Sequence, residues 1–255
     1  MYRYDFTRNQ PGGSEMTDLD SATGSACSSC QAAFVDQHTA AMLDNTGFAA
    51  FGHGTEVLGM VHMVAPTAKL MPLKAFGPDG TGTLSNIISA IYYAVQDHAN
   101  VINMSFELAS DSNELNKAIN YANFNNVVCV ASSGNDGQQV VVYPAGMKNV
   151  MGVASMNDFD QRSSFSNYGN QVVWVAAPGE NVMTTYPFGS YSVTSGTSFT
   201  SPMVAGTVAL LINRQPKMNQ STASQAISHA HWIGSNMGYG ELDVYQALAS
   251  LGWSW

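Results

Sequence analysis

Short apolar segments alternate with amphipathic ones through most of the chain. The segments 69–76 and 100–106 are short apolar runs, and 83–99 between them places its apolar residues at helical spacing. This predicts a strand, a helix and a strand, and the unit recurs as a helix at 112–125 and a strand at 126–133. Such an alternation implies a parallel sheet covered on both faces. The pattern therefore predicts an α/β fold with a doubly wound, mostly parallel sheet.

The second half of the chain continues this pattern and adds a buried helix. Two more apolar runs, 149–155 and 171–177, predict further strands, and 177–196 predicts two shorter strands or a hairpin. The segment 197–216 is apolar with small residues between, which predicts a buried helix with Pro202 in its first turn.

The two ends of the chain differ from each other. Residues 1–50 are rich in Gly, Ser, Thr, Asp and Ala without a clear period, which predicts long loops. Helices near 220–230 and 241–250 are expected to close the chain. Because no repeat or linker divides the sequence, we expect a single domain over 1–255, with a loop-rich part at 1–50 and a core at 51–250.

Composition limits the partners more than the fold. The 255 residues are 45% hydrophobic and 11% charged, and 9 Lys+Arg against 18 Asp+Glu give a formal net charge of −9. The basic residues are scattered and cannot neutralise a run of phosphates, which argues against nucleic acid and anionic membranes as partners. The longest apolar stretch is too short to span a bilayer, and the first residues lack the apolar core of a signal peptide.

The three cysteines argue against a structural zinc site. Cys27 and Cys30 form a C-S-S-C pair in a Ser/Ala/Gly-rich stretch, and no second ligand pair follows at suitable spacing. A small disulfide loop or two free thiols is therefore favoured over a metal. Cys129 lies in an apolar run and is expected to be a buried core residue.

Three polar residues lie where predicted strands, turns and helices meet, which is where α/β proteins gather reactive groups. His53 starts a predicted helix, Asn135 follows a predicted strand, and Ser198 enters the buried helix. Each has an ordinary structural role when considered alone, as a cap, a packed side chain or a turn residue. Together they also supply what acyl transfer needs: a nucleophile, a base and donors for an oxyanion.

The segments around these residues resemble the subtilisin-like serine proteases, the subtilases. His53 opens H-G-T-E-V-L-G, Ser198 lies in G-T-S-F-T-S-P-M-V-A-G, and Asn135 ends S-S-G-N. V-I-N-M-S, F-S-N-Y-G and A-A-P-G are further matches, and the likeness runs from about Gly52 to Leu248. The resemblance extends over most of the chain and has its three main motifs in the family's order.

The resemblance implies a serine endopeptidase that acts on polypeptides. Ser198 Oγ would attack the carbonyl, His53 would take the proton, and Asn135 with the Ser198 N–H would hold the oxyanion. No cofactor is required for this chemistry. Calcium stabilises many members, but the acidic residues show no D-x-D-x-D-G spacing, so a structural calcium ion is left unassigned. The resemblance further implies a secreted protein, and we expect a monomer.

The resemblance also places the substrate as an extended strand between two segments of the cleft. The residues of these segments are Ser105, Phe106, Glu107, Ser132, Ser133 and Gly134. Subtilases commonly have S-x-G in the first segment, so Glu107 is a departure from the family pattern. Glu107 either alters the edge of the cleft or is a solvated loop residue, and the sequence leaves both interpretations open.

Two further departures near the nucleophile concern packing. Phe199 follows Ser198 where many subtilases have Met, and Met203 follows the proline where many have His. We expect both to be core side chains. An esterase is a weaker interpretation, because it would carry G-x-S-x-G where this chain has G-T-S-F-T. A zinc protease is disfavoured because H-E-x-x-H is absent from the His53 helix.

The catalytic Asp of the family has no clear counterpart. Asp44 lies in L-D-N-T-G, but no apolar strand precedes it and it is too close to His53. Asp5, in Y-D-F, resembles a segment that follows the family's D-T-G strand, which would place the catalytic Asp before Met1. We therefore expect an N-terminally truncated subtilase domain that lacks its first strand. A catalytically impaired homologue that binds peptides is the alternative.

Overall fold

The computed structural model describes residues 3–13, the backbone of 32–34, and residues 50–252. Cys27, Cys30 and Asp44 lie outside the described residues, so the predictions for them stay predictions. The described strands are β1 (Tyr4–Asp5), β2 (Gln10–Pro11), β3 (Ala32–Phe34), β4 (Leu73–Lys74), β5 (Thr81–Thr83), β6 (Val101–Met104), β7 (Val128–Ser132), β8 (Met151–Met156), β9 (Val175–Pro178), β10 (Val182–Tyr186) and β11 (Ser190–Thr194). The described helices are α1 (His53–Val64), α2 (Leu84–Gln96), α3 (Asn113–Phe124), α4 (Thr197–Arg214), α5 (Gln220–Ile227) and α6 (Val244–Ala249).

A parallel sheet forms the centre of the fold. Strands β6, β7, β8 and β9 lie side by side in chain order, and every neighbouring pair is parallel. Helix α3 connects β6 to β7. The predicted α/β architecture with a parallel sheet is confirmed.

Helices cover both faces of this sheet. Alternate residues of β7 point to opposite sides: Cys129 and Ala131 pack with α2 and α3, whereas Val128 and Val130 pack with α4, α5 and α6. Both clusters are built from buried aliphatic side chains, which explains why the strands are apolar without alternation. The doubly wound arrangement is therefore confirmed. Cys129 is buried as expected, and burial raises the pKa of its thiol to about 12.

Two predicted strands are shorter than expected. Of the run 69–76, only β4 is a strand, and it pairs with β1 in a small separate sheet. Pro72, directly before β4, lacks the N–H that would extend the ladder. Of the run 171–177, only the last residues join the sheet as β9. Val172 and Val173 precede it in a turn and pack into the α2–α3 side of the core. Their burial, and not a strand, explains their apolar character.

The later elements follow the prediction closely. Strands β10 and β11 form an antiparallel hairpin, and its threonines contact α1: Thr184 Oγ1 donates to the Glu56 carbonyl at 2.6 Å. Helices α5 and α6 lie within the predicted ranges. No helix in the described part of the chain is long and apolar enough to cross a membrane.

The buried helix α4 departs from the prediction at its proline. Pro202 is the sixth residue of α4 and lies inside the helix, beyond its first turn. A proline has no N–H to donate to the carbonyl four residues earlier, which here belongs to Ser198. The Ser105 hydroxyl donates to that carbonyl instead, at 2.8 Å. A side chain at the end of β6 therefore replaces the missing helical hydrogen bond.

Candidate active site

The three predicted catalytic residues lie at element boundaries and are all buried. His53 is the first residue of α1, Ser198 the second of α4, and Asn135 follows the loop after β7. Their side chains are 7%, 1% and 6% exposed, respectively. Buried polar side chains normally form hydrogen bonds, so what each of them contacts decides whether its role is structural.

Close packing of α1 on α4 brings His53 to the first turn of α4. A Cβ on Gly206 of α4 would lie 2.8 Å from Val64 Cβ and 3.2 Å from the Val61 carbonyl oxygen, so only glycine allows this approach. At the other end of the contact, the His53 and Phe199 ring centroids are 5.7 Å apart. Phe199 is fully buried, as expected, and packs against the imidazole.

Asn135 is oriented by the first turn of α4. Its Oδ1 accepts a hydrogen bond from the Thr197 N–H at 2.9 Å, which fixes which way the amide faces. The remaining Nδ2 donor lies 3.9 Å from where a Cβ on Gly196 would be, next to the start of the helix. The Ser198 N–H belongs to the first turn and has no intrahelical acceptor. Two donors therefore converge at the N-terminus of α4.

Three side-chain atoms of these residues are buried and have no hydrogen-bond partner. They are His53 Nε2, Asn135 Nδ2 and Ser198 Oγ. A buried polar atom without a partner costs about 1–3 kcal/mol, and three of them on neighbouring elements indicate a place that receives a ligand. The arrangement holds an acceptor, a hydroxyl and a donor, which is the set that acyl transfer requires.

Burial keeps the His53 imidazole neutral. Desolvation lowers the pKa of His53 from 6.5 to about 4, so at neutral pH the side chain is ready to accept a proton. Burial is the whole of this shift, and no carboxylate among the described residues raises the pKa of His53.

Ser105 supports the turn that carries Ser198, the predicted nucleophile. Its Oγ donates to the Ser198 carbonyl, lies 3.1 Å from Ser201 Oγ, and accepts from Asn103 Nδ2 at 2.9 Å. The Ser105 hydroxyl thus forms its hydrogen bonds with other groups of the protein. Phe106 is also buried, with its ring centroid 5.1 Å from that of Phe76. Of this segment, only Glu107 extends its side chain toward the neighbouring strand end.

The segment after β7 is bound to α4 and β8. The Gly134 N–H donates to Thr197 Oγ1 at 3.2 Å, and the Ser133 N–H donates to the Val153 carbonyl at 3.0 Å. Ser132 and Ser133 are buried, so neither hydroxyl faces solvent. The structure therefore brings this predicted segment beside the turn that carries Ser198.

Comparison with known proteins shows which family this chain belongs to. The sequence profile of the Subtilase family matches residues 24–249. The chain belongs to the subtilases. It is 38% identical over 209 residues to a thermostable alkaline protease of Halalkalibacterium halodurans, covering 78% of this chain and 58% of that protein. It is 36% identical over 204 residues to subtilisin DY of Bacillus licheniformis, covering 74% of each.

Solved subtilase-like structures share the fold. The prenylagaramide maturation protease PagA aligns with a TM-score of 0.73 at 28% identity, over 78% of this chain and 82% of that one. The epidermin leader peptide processing serine protease EpiP of Staphylococcus aureus aligns with a TM-score of 0.73 at 29% identity, over 80% of this chain and 64% of that one. This subtilase spans little more than half of the alkaline protease that it matches.

Glu107, the departure from the subtilase pattern, lies inside the site. Its Oε2 is buried and 2.5 Å from where a Cβ on Gly134 would be. Gly134 has φ of 92°, a backbone conformation that favours glycine, and its bare Cα lets the carboxylate approach. Because this oxygen is buried, Glu107 is not a fully solvated loop residue. Its place at the edge of a substrate cleft stays a prediction.

Asn167 has a role that the sequence analysis did not assign. Its Oδ1 accepts from the N–H groups of Asp136 and Gln138 at 3.0 and 3.2 Å, and its Nδ2 donates to Asp136 Oδ2 at 3.0 Å. Its own N–H donates to the Gly134 carbonyl at 3.0 Å. Asn167 therefore fixes the loop that carries Asn135. The available signal was the F-S-N-Y-G match, which contains this residue.

Asp5 has a structural role in this subtilase. It is the last residue of β1 and is buried, and its Oδ1 accepts from the backbone N–H groups of Thr7 and Arg8 at 2.9 and 3.1 Å. These bonds cap a tight turn. The part of the chain that the structure describes contains no group of three or more His, Cys, Asp or Glu side chains that could hold a metal ion.

Proposed function

We propose that Ser198, His53 and Asn135 carry out peptide-bond hydrolysis in this subtilase. Membership of the family makes the protein a serine-type peptidase, and the assignment of the individual residues is our proposal. The observation that carries it is the set of unpartnered buried atoms, Ser198 Oγ, His53 Nε2 and Asn135 Nδ2. A purely structural serine, histidine or asparagine in the core would have these atoms hydrogen-bonded.

The proposed reaction proceeds in two halves. In the first, His53 Nε2 takes the proton from Ser198 Oγ as the oxygen attacks the carbonyl carbon, and the carbonyl oxygen becomes an oxyanion. Asn135 Nδ2 and the Ser198 N–H donate to that oxygen. The C–N bond then breaks, and His53 gives its proton to the leaving amine. In the second half, water attacks the acyl-serine by the same route and releases the acid.

The environment of His53 determines how efficient this chemistry is. A buried imidazole without a carboxylate beside it is neutral but has a poorly stabilised imidazolium, because burial disfavours the charged form. In subtilisin, removal of the Asp lowers turnover by about 3 × 10⁴, which leaves a measurable rate above the uncatalysed one. We propose that hydrolysis by the described residues proceeds at this reduced level unless a carboxylate from elsewhere reaches His53.

The proposed substrate is an extended polypeptide, and the reaction as written requires no cofactor. We propose that the chain acts as a monomer and outside the cell, in keeping with the uncharged polar composition. The support for a peptide substrate is the pair of neighbouring strand ends, one after β6 and one after β7, which border the nucleophile turn.

A catalytically impaired, peptide-binding subtilase is the second candidate. The observation that favours it is the absence, among the described residues, of a carboxylate that raises the pKa of His53. In that case the cleft would hold a peptide without cutting it.

Labelling of the full chain with a fluorophosphonate separates the two functions. The enzyme is supported if Ser198 is labelled and if His53→Ala abolishes the labelling, because the reagent requires an activated serine. Ser198→Ala is the control for attachment at another hydroxyl. A folded protein whose Ser198 is inert, and which binds a peptide measured by calorimetry, contradicts the enzyme and supports the binding protein.

A further inference from the structure

Arg162 lies beside an open cleft on the surface of this subtilase. The cleft has a volume of about 440 Å³ and is lined by residues from two distant segments, one between β8 and β9 and one between α5 and α6. They are Arg162, Tyr168, Gly234, Ser235, Asn236 and Met237. None of the residues of the proposed reaction lines this cleft.

The Arg162 guanidinium is held in a fixed orientation. It lies over the Tyr168 ring, with its central carbon 4.5 Å from the ring centroid. Its Nη1 donates to three carbonyls at 3.1, 3.4 and 2.7 Å, those of Ser163, Ser164 and Ser166. The cation–π contact and the hydrogen bonds of one nitrogen fix the plane of the group. The guanidinium is therefore positioned before any ligand binds.

The other donors of this guanidinium have no partner in the part of the chain that the structure describes. There, Nε and Nη2 of Arg162 donate no hydrogen bond, and the side chain forms no ion pair. The chain has 18 Asp+Glu against 9 Lys+Arg, so carboxylates that could pair with a cation are plentiful. Two neighbouring N–H donors of one guanidinium match the two oxygens of a carboxylate. The unpaired charge of Arg162 is therefore available to an anionic ligand.

The remaining polar groups of the cleft are compatible with an anion. Tyr168 and Ser235 have hydroxyls and Asn236 has an amide, and all three groups can donate hydrogen bonds. None of the six described lining residues is acidic. An anion in this cleft meets one cation and several donors, and no lining carboxylate repels it.

The size and the apolar part of the cleft favour an organic acid over a small inorganic ion. A water molecule occupies about 30 Å³ in the liquid, and the cleft is many times larger. Met237 and the Tyr168 ring add apolar surface to the wall. Gly234 adds no side chain, and a Cβ there would meet no atom within 4 Å. A ligand that fills this space combines an oxyanion with an apolar body.

We propose that this cleft binds the C-terminal residue of a polypeptide. The terminal carboxylate pairs with Nε and Nη2 of Arg162, and the last side chain packs against Met237 and the Tyr168 ring. Ser235 and Asn236 donate to the oxygens that Arg162 leaves unpaired. The proposal does not depend on the proposed function, because the cleft contains none of the residues of that reaction.

Calorimetry with a pair of peptides tests this proposal. Acetyl-Gly-Gly-Leu ends in a carboxylate, and the same peptide with a C-terminal amide keeps the shape without the charge. Ser198→Ala is the protein used, so that neither peptide is cut. We expect the acid to bind about tenfold more tightly than the amide, the effect of one partly screened charge pair. Added salt should reduce this difference.

Arg162→Gln, made in the same background, shows where the acid binds. It removes the charge from the cleft and should bring the two affinities together. Arg214→Gln is the matched control, because it removes the same charge from an exposed position in the last turn of α4 and should keep the preference for the acid. If Arg162→Gln does not fold, Ser235→Glu replaces it. Ser235 is exposed, and a glutamate there repels the peptide carboxylate without removing any contact of Arg162.

Several outcomes would overturn the proposal. They are equal affinities of the acid and the amide, no binding of either peptide, and a preference for the acid that persists in Arg162→Gln or in Ser235→Glu. Inorganic phosphate is added as a competitor. If phosphate displaces the acid at an equal or lower concentration, the cleft binds a small oxyanion and the proposal is wrong. Fluorophosphonate labelling of Ser198, in a protein that carries only Arg162→Gln, should be unchanged and reports separately on the proposed function.

Discussion

The helices that carry the proposed chemistry begin differently from the others. Helices α2 and α3 start with capping side chains, Thr83 and Ser112, whose oxygens accept backbone N–H groups of the first turn. Helices α5 and α6 are capped in the same way. By contrast, α1 and α4 follow Gly52 and Gly196, and neither N-cap residue forms a side-chain hydrogen bond.

The capped helix starts contribute to stability, whereas the uncapped starts carry the residues of the proposed reaction. A capped first turn has satisfied its own donors, which stabilises the helix by about 1 kcal/mol. An uncapped first turn keeps donors available for something else. In α4 the Thr197 N–H orients Asn135, and the next N–H belongs to Ser198. Within this fold, the first turn of a helix is either capped by a neighbouring side chain or left with backbone donors that a ligand could use.

The largest expected effect comes from serine substitutions at the two kinds of helix start. Ser198→Ala should abolish fluorophosphonate labelling and lower hydrolysis by several orders of magnitude, up to about 10⁶ as in subtilisin. Ser112→Ala makes the same chemical change at a capped start and should leave labelling intact. Peptide hydrolysis and labelling of both purified variants provide the measurement. Equal activity of the two variants would show that the uncapped start of α4 has no catalytic role that the capped start of α3 lacks.

Asparagine offers a second matched pair. Asn135→Asp keeps the oxygen that accepts from Thr197 N–H but replaces the Nδ2 donor with an acceptor, so kcat should fall by about 10²–10³. Asn219→Asp alters the cap of α5, which aspartate fulfils equally well, and should leave kcat unchanged. Steady-state kinetics of both variants measures the two kcat values. If Asn135→Asp retains full kcat, Asn135 is not an oxyanion donor.

The pH dependence of stability tests whether His53, the first residue of the uncapped helix α1, is buried in its neutral form. The pKa of His53 is about 4 in the folded protein against 6.5 as its ordinary value, so the unfolded chain binds a proton first as pH falls. The free energy of unfolding should therefore decrease between pH 6.5 and 4, by about 3 kcal/mol from this side chain. Above pH 6.5 the contribution is constant.

Urea unfolding at pH 7 and pH 4 measures this effect. Carboxylates also titrate in this range, so the unchanged protein is compared with His53→Gln. Glutamine keeps a polar side chain at this position but does not bind a proton. The variant should lose less stability on acidification than the unchanged protein. The same loss in both proteins would mean that burial does not lower the pKa of His53.

The smallest expected effect belongs to the caps themselves. Thr83→Ala removes the acceptor of the Asn86 N–H, which lies 3.3 Å away, and should lower the free energy of unfolding by about 1 kcal/mol. Labelling of Ser198 should not change. A thermal or urea unfolding curve checks the first result, and a loss of labelling in this variant would contradict the separation of the two helix types.

Local sequence signals were sufficient where the contacts are local. The helical spacing of 83–99 predicted α2, and the apolar runs predicted β6, β7 and β8, because burial on both faces leaves a continuous apolar pattern. The helix starts at His53 and Ser198 followed from their motifs. The motif that contains Ser198 consists of a few adjacent residues and is therefore visible in the sequence.

The rest of the site depends on contacts between distant segments. Asn167 binds the loop at 134–138, and Glu107 packs on Gly134, and neither distance is set by sequence spacing. The apolar pair Val172 and Val173 predicted a strand, whereas the structure buries it in a turn before β9. An apolar run reports burial, and only the fold determines whether the burial occurs within a strand.

The proline inside α4 has a consequence for how this protein assembles. The carbonyl of Ser198 is bound by the hydroxyl of Ser105, which lies 93 positions away along the chain. The hydrogen bond that Pro202 cannot supply is therefore completed only when the end of β6 lies against α4. The backbone geometry at Ser198, the proposed nucleophile, depends in this way on the assembled sheet as well as on its own helix.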